Sequence, residues 1–181
     1  MSYIDINNNL PGIVGLMAYR PETAKPLNEL AEVLLRGEST LTSAEREMIA
    51  SYVSYQNECH FCHSCHGAAA AHHLDGNLDL LDDIKVGFKT TEISPKLRSL
   101  LTIAKKVQIL GNQVTSEDID AARNEGATDR EIHDAVLIAA AFCMYNRYVD
   151  GLGTWAPKEN EDYDDTGRML AHEGYVRNRY S

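Results

Sequence analysis

A dense cluster of thiols and imidazoles occupies the ten residues from 57 to 66. Three of the four cysteines of the chain lie there, at Cys59, Cys62 and Cys65, together with three of its seven histidines. Three kinds of chemistry use such residues at such short spacing: a redox-active dithiol, a metal site and a covalently attached haem. Each makes a different demand on the neighbouring residues.

A dithiol fits the spacing on a helix. At about 100° per residue, Cys59, Cys62 and His66 fall on one face, and Cys65 lies on its flank. The positive end of the helix dipole favours a thiolate over a thiol, and the thiolate is the form that attacks a peroxide or a disulfide. It then closes into a disulfide through a sulfenic acid. A Cys59/Cys62 pair places His66 one turn after the second cysteine, whereas a Cys62/Cys65 pair places Ala69 there.

An acidic residue one helix earlier completes a possible proton relay. If the chain reverses at Asn57 and Glu58, Glu47 lies about 15 Å back from the corner, and His66 lies about 10 Å along the returning helix. A carboxylate at this position could orient the imidazole, and the imidazole could take the proton of the Cys62 thiol. We therefore include Glu47 in the candidate site.

Two alternatives to the dithiol stay open. The three clustered cysteines with His63 or His66 could supply a tetrahedral zinc set, although a structural zinc usually joins two separated pairs and the chain has no second C-x-x-C. Residues 62–66 also read as C-x-x-C-H, the attachment pattern of c-type haem, which is normally attached outside the cytoplasm. We favour the dithiol and expect no cofactor and no metal.

The elements that must position these residues are all helical. Apolar residues recur at helical spacing along most of the chain, and no segment shows the alternation of a strand. Thr42 with Glu45 and Thr128 with Glu131 have the spacing of capping boxes, and the second opens a strongly apolar helix over 132–144. The sequence predicts an all-α fold of about seven or eight helices, with the C-x-x-C at the start of a core helix.

Length and composition set the frame for this fold. The 181 residues suit one domain. We divide the chain into an irregular N-terminal arm over 1–20, a helical domain over 21–155 and a C-terminal extension over 156–181. We expect the extension to pack on the domain or on a neighbouring subunit. A net charge of −10 argues against a nucleic-acid partner. Since neither a secretory signal nor a membrane span is evident, we expect a cytoplasmic protein, in which clustered thiols are seldom structural disulfides.

The spacing of the site also resembles that of a known family. Glu47, followed twelve residues later by Cys59-x-x-Cys62 and then by His66, is similar to the signature of the alkylhydroperoxidase D-like (AhpD-like) group of the carboxymuconolactone decarboxylase superfamily. The resemblance covers roughly residues 20–155 and is greatest to the uncharacterised peroxidase-related branch. It implies an all-helical fold, trimers or hexamers, and a thiol-dependent peroxidase whose disulfide is recycled by an external dithiol.

The resemblance also implies roles for the four residues. Cys62 would attack the peroxide, Cys59 would resolve the product, and His66 and Glu47 would form the relay. The predicted function is an antioxidant enzyme that reduces hydroperoxides and is recycled by a lipoyl group, a thioredoxin-like protein or a small thiol. A protein disulfide oxidoreductase that uses the same pair, and a non-catalytic metal-binding oligomer, are the alternatives. Phe61 departs from the family pattern, because some members carry a histidine there.

Overall fold

The fold of the computed structural model, which describes residues 2–89 and 91–176, is entirely helical within those ranges. The nine α-helices there are α1 (Gly12–Tyr19), α2 (Pro21–Arg36), α3 (Ser43–Gln56), α4 (His60–His72), α5 (Leu78–Gly87), α6 (Pro95–Ile109), α7 (Ser116–Asn124), α8 (Asp129–Gly151) and α9 (Asp164–Glu173). Two short 3₁₀ helices, Gly111–Gln113 and Asn160–Tyr163, precede α7 and α9. The prediction of an all-α fold is confirmed.

Helices α3 and α4 form the hairpin that carries the thiol cluster. Helix α3 begins with the predicted capping box, in which the Thr42 hydroxyl accepts from the Glu45 amide at 3.1 Å and the Glu45 carboxylate accepts from the Thr42 amide at 2.9 Å. It ends at a corner where Glu58 adopts a left-handed conformation with φ of 59°. The side chain of Asn57 ties this corner to α8 by donating to Asn146 Oδ1 at 2.8 Å. The predicted reversal of the chain is confirmed.

Helix α8 is the long apolar helix that the sequence predicted, and it packs against α3 and α6. Its first turn contains a buried carboxylate, Glu131, which accepts from the backbone amide of Thr128 at 2.7 Å and completes the second capping box. The same side chain accepts from Lys96 at 2.7 Å and from the Thr40 hydroxyl at 2.9 Å. This cluster joins the starts of α6 and α8 to the loop before α3.

The prediction of an irregular arm over residues 1–20 is wrong for residues 12–19, which form α1. Pro11 and Gly12 are residue types that usually break helices, but here Pro11 occupies the N-cap position of α1 and Gly12 is its first residue. Gly12 has a φ of 53°, and a Cβ atom at this position would overlap the ring of Phe61. The glycine therefore allows α1 to lie directly against the start of α4.

Helix α9 packs closely against α4, so the predicted extension packs on the helical domain of its own chain. Gly167 faces Ala68, and a Cβ atom at 167 would overlap the side chain of Ala68 and approach the Ala69 backbone. Residues 177–181 of the predicted extension lie outside the described residues, and the three domain boundaries stay predictions. None of the helices in the described part of the chain has the length and apolar character needed to cross a membrane.

Candidate active site

The two sulfurs of the predicted dithiol lie together at the start of α4. Cys59 caps the helix, with its amide bonded to the Ser54 carbonyl at 3.0 Å, and its side chain is fully buried. Cys62 lies in the first turn and is 3% exposed. Both are free thiols. Because Cys59 is the capping residue, the helix begins one residue later than we assumed, but the two cysteines remain neighbours.

The two thiols differ in their surroundings. A hydrogen bond with Cys62, together with burial and the nearby carboxylate of Asp150, raises the pKa of Cys59 well above its ordinary value. The start of a helix is expected to favour a thiolate, but at Cys59 these local effects act in the opposite direction. Cys59 is a protonated thiol at neutral pH.

Cys62 lines a cavity of about 150 Å³, whereas Cys59 does not. His66 and Cys65 line the same cavity, and most of the remaining wall is apolar. The apolar side chains come from α1, α2, α8, α9 and the start of α4; those of α1 are Ile13, Val14 and Met17. The segment that we expected to be irregular thus forms one wall of the site. A molecule that enters the cavity meets Cys62 before it meets Cys59.

Behind the cavity, the structure brings Glu47 and His66 into direct contact. His66 Nδ1 lies 2.7 Å from Glu47 Oε2, across the interface between α4 and α3. The Glu47 side chain is completely buried, and that of His66 is 11% exposed. The ring of His66 packs edge-on against Phe142 of α8, with ring centroids 4.5 Å apart. All four predicted site residues therefore belong to one cluster around α4.

Two residues that the sequence analysis missed also bind Glu47. Arg36 Nη2 at the end of α2 donates to Glu47 Oε1 at 2.6 Å, and the Tyr175 hydroxyl beyond α9 donates to the same oxygen at 2.6 Å. Arg36 also donates to the Leu170 carbonyl at 2.9 Å. A buried carboxylate such as Glu47 requires a charged partner, so a cation was to be expected near it. No spacing in the sequence indicated that residue 36 or residue 175 would be close.

These contacts set the charge of the cluster. Burial alone raises the pKa of Glu47, but the charge and hydrogen bond of His66, the charge of Arg36 and the hydroxyl of Tyr175 outweigh it and lower that pKa. An ionised carboxylate only accepts hydrogen bonds, so His66 Nδ1 carries a proton and Nε2 is the ring nitrogen left to act as a base. Burial and the neighbouring Glu47 raise the pKa of Tyr175 well above its usual value, so its hydroxyl remains a donor.

The other members of the sequence cluster have different surroundings. Burial, with the nearby Cys59 and Glu47, raises the pKa of Cys65, which stays a thiol. Burial and the cations around His63 lower its pKa to about 4, so His63 is neutral at pH 7. His60 is exposed and contacts the Pro157 carbonyl at 3.0 Å. In residues 2–89 and 91–176, no group of three or more His, Cys, Asp and Glu side chains is placed to hold a metal ion.

Comparisons with known proteins give relatives in the solved structures alone. No family model matches the chain, and no curated protein sequence matches it. An alkylhydroperoxidase AhpD core, an uncharacterised peroxidase-related protein from Ralstonia eutropha JMP134, is 29% identical with a TM-score of 0.77 over 88% of this chain and 82% of that one. An uncharacterised peroxidase-related protein from Silicibacter sp. TM1040 is 27% identical with a TM-score of 0.76 over 87% and 81%.

A third structure is more distant in sequence. It is a protein of unknown function from Agrobacterium tumefaciens, described as a putative antioxidant defence protein AhpD. It is 21% identical, with a TM-score of 0.69 over 80% of this chain and 97% of that one. At this identity it supports the fold alone.

Proposed function

The chain belongs to the AhpD-like superfamily, and we propose that it is a thiol-dependent peroxidase, an oxidoreductase that reduces hydroperoxides through Cys62 and Cys59. One observation carries the proposal: Cys62 and His66 share the wall of a cavity, and His66 is bonded from behind to the buried, ionised Glu47. A carboxylate, an imidazole and a thiol in this order activate a nucleophile. Cys59 lies next to Cys62 but outside the cavity, as a second thiol that resolves the product requires.

In the first step, His66 Nε2 accepts the proton of the Cys62 thiol, and Glu47 stabilises the resulting imidazolium. The thiolate attacks one oxygen of the hydroperoxide, so that an S–O bond forms and the O–O bond breaks. The electron pair of the O–O bond leaves with the other oxygen, and the resulting alkoxide takes a proton from His66. The products are an alcohol and a Cys62 sulfenic acid.

In the second step, the sulfur of Cys59 displaces hydroxide from the sulfenic acid. An S–S bond forms as the S–O bond breaks, and the hydroxide leaves as water with the proton of Cys59. Asp150 lies beside this thiol and is placed to accept its proton on the way. An external dithiol then reduces the disulfide by two electrons and is itself oxidised. A lipoyl group, a thioredoxin-like protein or a small thiol would meet this requirement.

Burial of the sulfurs favours peroxide over protein disulfides as the oxidant. Cys59 is completely buried and Cys62 is 3% exposed, so a small hydroperoxide that enters the cavity reaches Cys62 more readily than a disulfide on a folded protein does. The same burial favours a lipoyl group or a small thiol over a thioredoxin-like protein as the reductant. A metal-binding oligomer without turnover would not require the imidazole of His66 to line the cavity beside Cys62. We also propose a cytoplasmic homo-oligomer, a trimer or hexamer, which would cover apolar residues exposed on α8 such as Leu137 and Met144.

Peroxide consumption by three cysteine variants tests the proposal, with several dithiols supplied as reductants. We expect Cys62→Ser to abolish turnover. Cys59→Ser should reduce one equivalent of peroxide and then accumulate a sulfenic acid that dimedone traps. Cys143→Ser, a change at a buried thiol that does not line the cavity, is the matched control and should retain activity.

Other outcomes would contradict the proposal. Full turnover by Cys62→Ser would exclude Cys62 as the attacking residue. Reduction of insulin disulfides without consumption of peroxide would indicate the disulfide oxidoreductase. Stoichiometric zinc in the purified protein, with thiols protected from alkylation, would indicate the metal-binding oligomer.

A further inference from the structure

The hydroxyl of Tyr175 lies at the centre of the buried cluster. It donates to Glu47 Oε1 at 2.6 Å and lies 3.2 Å from His66 Nδ1. The ring of Tyr175 is nearly parallel to the imidazole of His66, at an angle of 11° and with centroids 6.0 Å apart. The guanidinium of Arg36 lies over the ring of Tyr175, with its Cζ atom 5.3 Å from the ring centroid. Tyr175 therefore contacts every charged or titratable partner that binds Glu47.

The backbone around Tyr175 is held in place by its own set of contacts. Glu32 Oε2 on α2 accepts from the amide of Tyr175 at 2.6 Å and from that of Val176 at 3.3 Å. Gly174 has a φ of 74°, and a Cβ atom there would lie 2.5 Å from the same Glu32 oxygen. Glycine at 174 thus lets the chain turn back from α9 and approach α2. The turn places Tyr175 into the wall of the cavity.

We propose that Tyr175 is a positioning residue for the thiol site, which fixes the orientation of Glu47 and through it the proton-accepting state of His66. Oε1 of the carboxylate is occupied by Arg36 and Tyr175, so only Oε2 remains for His66 Nδ1. This arrangement keeps the proton on Nδ1 and leaves Nε2 free. The inference rests on the proposed function, because it assigns to Tyr175 a part in the activation of Cys62.

The expected effect of removing the Tyr175 hydroxyl on the pKa of Glu47 follows from the groups around this carboxylate. Arg36 faces it from α2, and Tyr175 faces it from the segment after α9. His66 and Cys65 face it from α4, and His73, at the end of that helix, also interacts with the charges of Glu47 and Arg36. Removal of the hydroxyl takes one donor from the carboxylate and leaves the other groups in place. The charged form of Glu47 is then less stable, so the acidic limb of the activity profile should move to higher pH.

Tyr175→Phe and Tyr163→Phe form a matched pair for the test. Tyr163 is also buried, but it does not line the cavity, and its hydroxyl donates to the Pro157 carbonyl at 2.8 Å. At pH 7 we expect Tyr175→Phe to slow the alkylation of Cys62 by iodoacetamide about tenfold, and to move the acidic limb of the pH profile upward by about one unit. Mass spectrometry of the Cys62 peptide gives the rate, and Tyr163→Phe should match the wild type.

The tautomer of His66 supplies a readout that does not depend on peroxide turnover. In ¹⁵N NMR spectra of the wild type, we expect the signal of a protonated Nδ1, and in Tyr175→Phe a mixture of the two tautomers. Gly174→Ala, which keeps the hydroxyl but displaces its backbone, should move the spectrum and the pH profile in the same direction. Thermal unfolding of each variant checks that it is folded.

Specific results would overturn the inference. If Tyr175→Phe has the pH profile and the His66 spectrum of Tyr163→Phe, the hydroxyl has no positioning role. The same conclusion follows if its alkylation rate falls only in proportion to the folded fraction. A wild type that shows the Nδ1 signal and the Tyr175 effect but consumes no peroxide would refute the proposed function and leave the positioning role intact.

Discussion

Two buried glutamates, Glu131 at the start of α8 and Glu47 in α3, bind similar kinds of partner. Their side chains are 2% and 0% exposed. Each carboxylate is paired with one cation, Lys96 at 2.7 Å for Glu131 and Arg36 at 2.6 Å for Glu47. Each also accepts from a hydroxyl of a residue distant in the chain. Burial and pairing alone would not tell which of the two belongs to a functional site.

The remaining oxygen makes the difference. In Glu131 it accepts from the backbone amide of Thr128, which closes the first turn of α8. In Glu47 it binds His66, whose ring lines the cavity beside Cys62. This oxygen of Glu131 therefore binds only a backbone amide, whereas the corresponding oxygen of Glu47 binds an imidazole that can exchange a proton with a thiol. A buried carboxylate indicates function here because one of its partners is an imidazole that lines a cavity beside a thiol.

The largest difference between the two should appear in activity. We expect Glu47→Gln to lower kcat/KM for hydroperoxide about 100-fold, because the amide cannot stabilise a charged His66. Glu131→Gln should stay within about twofold of the wild type, since its partners do not reach the cavity. Steady-state peroxide assays on both variants provide the measurement. Equal losses of activity would show that the comparison reflects stability and not chemistry.

Stability should reveal the function of Glu131. Glu131→Gln loses the charge that binds Lys96 and weakens the capping box, so we expect the free energy of unfolding to fall by about 2 kcal/mol. Urea unfolding followed by circular dichroism measures this difference. Lys96→Met, which removes the other partner, should destabilise the protein in the same direction. If neither change lowers the free energy of unfolding, the cluster does not stabilise the start of α8.

The pH dependence of that stability follows from the pKa of Glu131. Burial alone would raise this pKa, but the hydrogen bonds from Lys96, Thr128 and Thr40 lower it from 4.5 to about 2. The folded state then binds fewer protons than the unfolded state between these values, so the contribution is complete above pH 4.5 and is lost as the pH falls toward 2. We expect the difference between the wild type and Glu131→Gln to shrink between about pH 5 and about pH 3. A constant difference over this range would contradict the assignment.

Asp150, a carboxylate beside the other thiol, should give the smallest effect. Its charge helps to raise the pKa of Cys59, so Asp150→Asn should lower that pKa. Because burial and the hydrogen bond with Cys62 remain, we expect the rate of disulfide formation after one equivalent of peroxide to change by less than about threefold. Rapid-quench alkylation measures that rate. A loss as large as that of Glu47→Gln would make Asp150 an equal participant in the reaction.

The parts of this structure that the sequence predicted depend on neighbours along the chain. The capping boxes of α3 and α8, the corner at Asn57 and the turn from Cys59 to His66 are set by residues a few positions apart. Local spacing encodes such features through hydrogen bonds of fixed reach. The contact between Glu47 and His66 followed because a single corner relates the two helices.

The contacts that the sequence did not reveal join residues far apart in the chain. Arg36 and Tyr175 meet at Glu47 because α2 and the segment after α9 both pack near α3 and α4. Such packing is decided by the shapes of whole helices, for which one sequence gives no distance. Helix α1 was missed because a proline and a glycine, which usually break helices, here cap and begin one. The four residues of the candidate site were thus easier to predict than the residues that surround them.

Helices α9 and α4 approach each other so closely at Gly167 that this wall of the cavity has no room for a larger side chain at that position. Gly167 lies directly against the Ala68 side chain and the Ala69 backbone, so any group added at 167 would push the two helices apart. Because α9 supplies Thr166, Met169 and Leu170 to the cavity wall, such a displacement of α9 would widen the cavity, whereas Cys62 lies on α4. The glycine at 167 therefore determines how wide the cavity beside the Cys62 sulfur is.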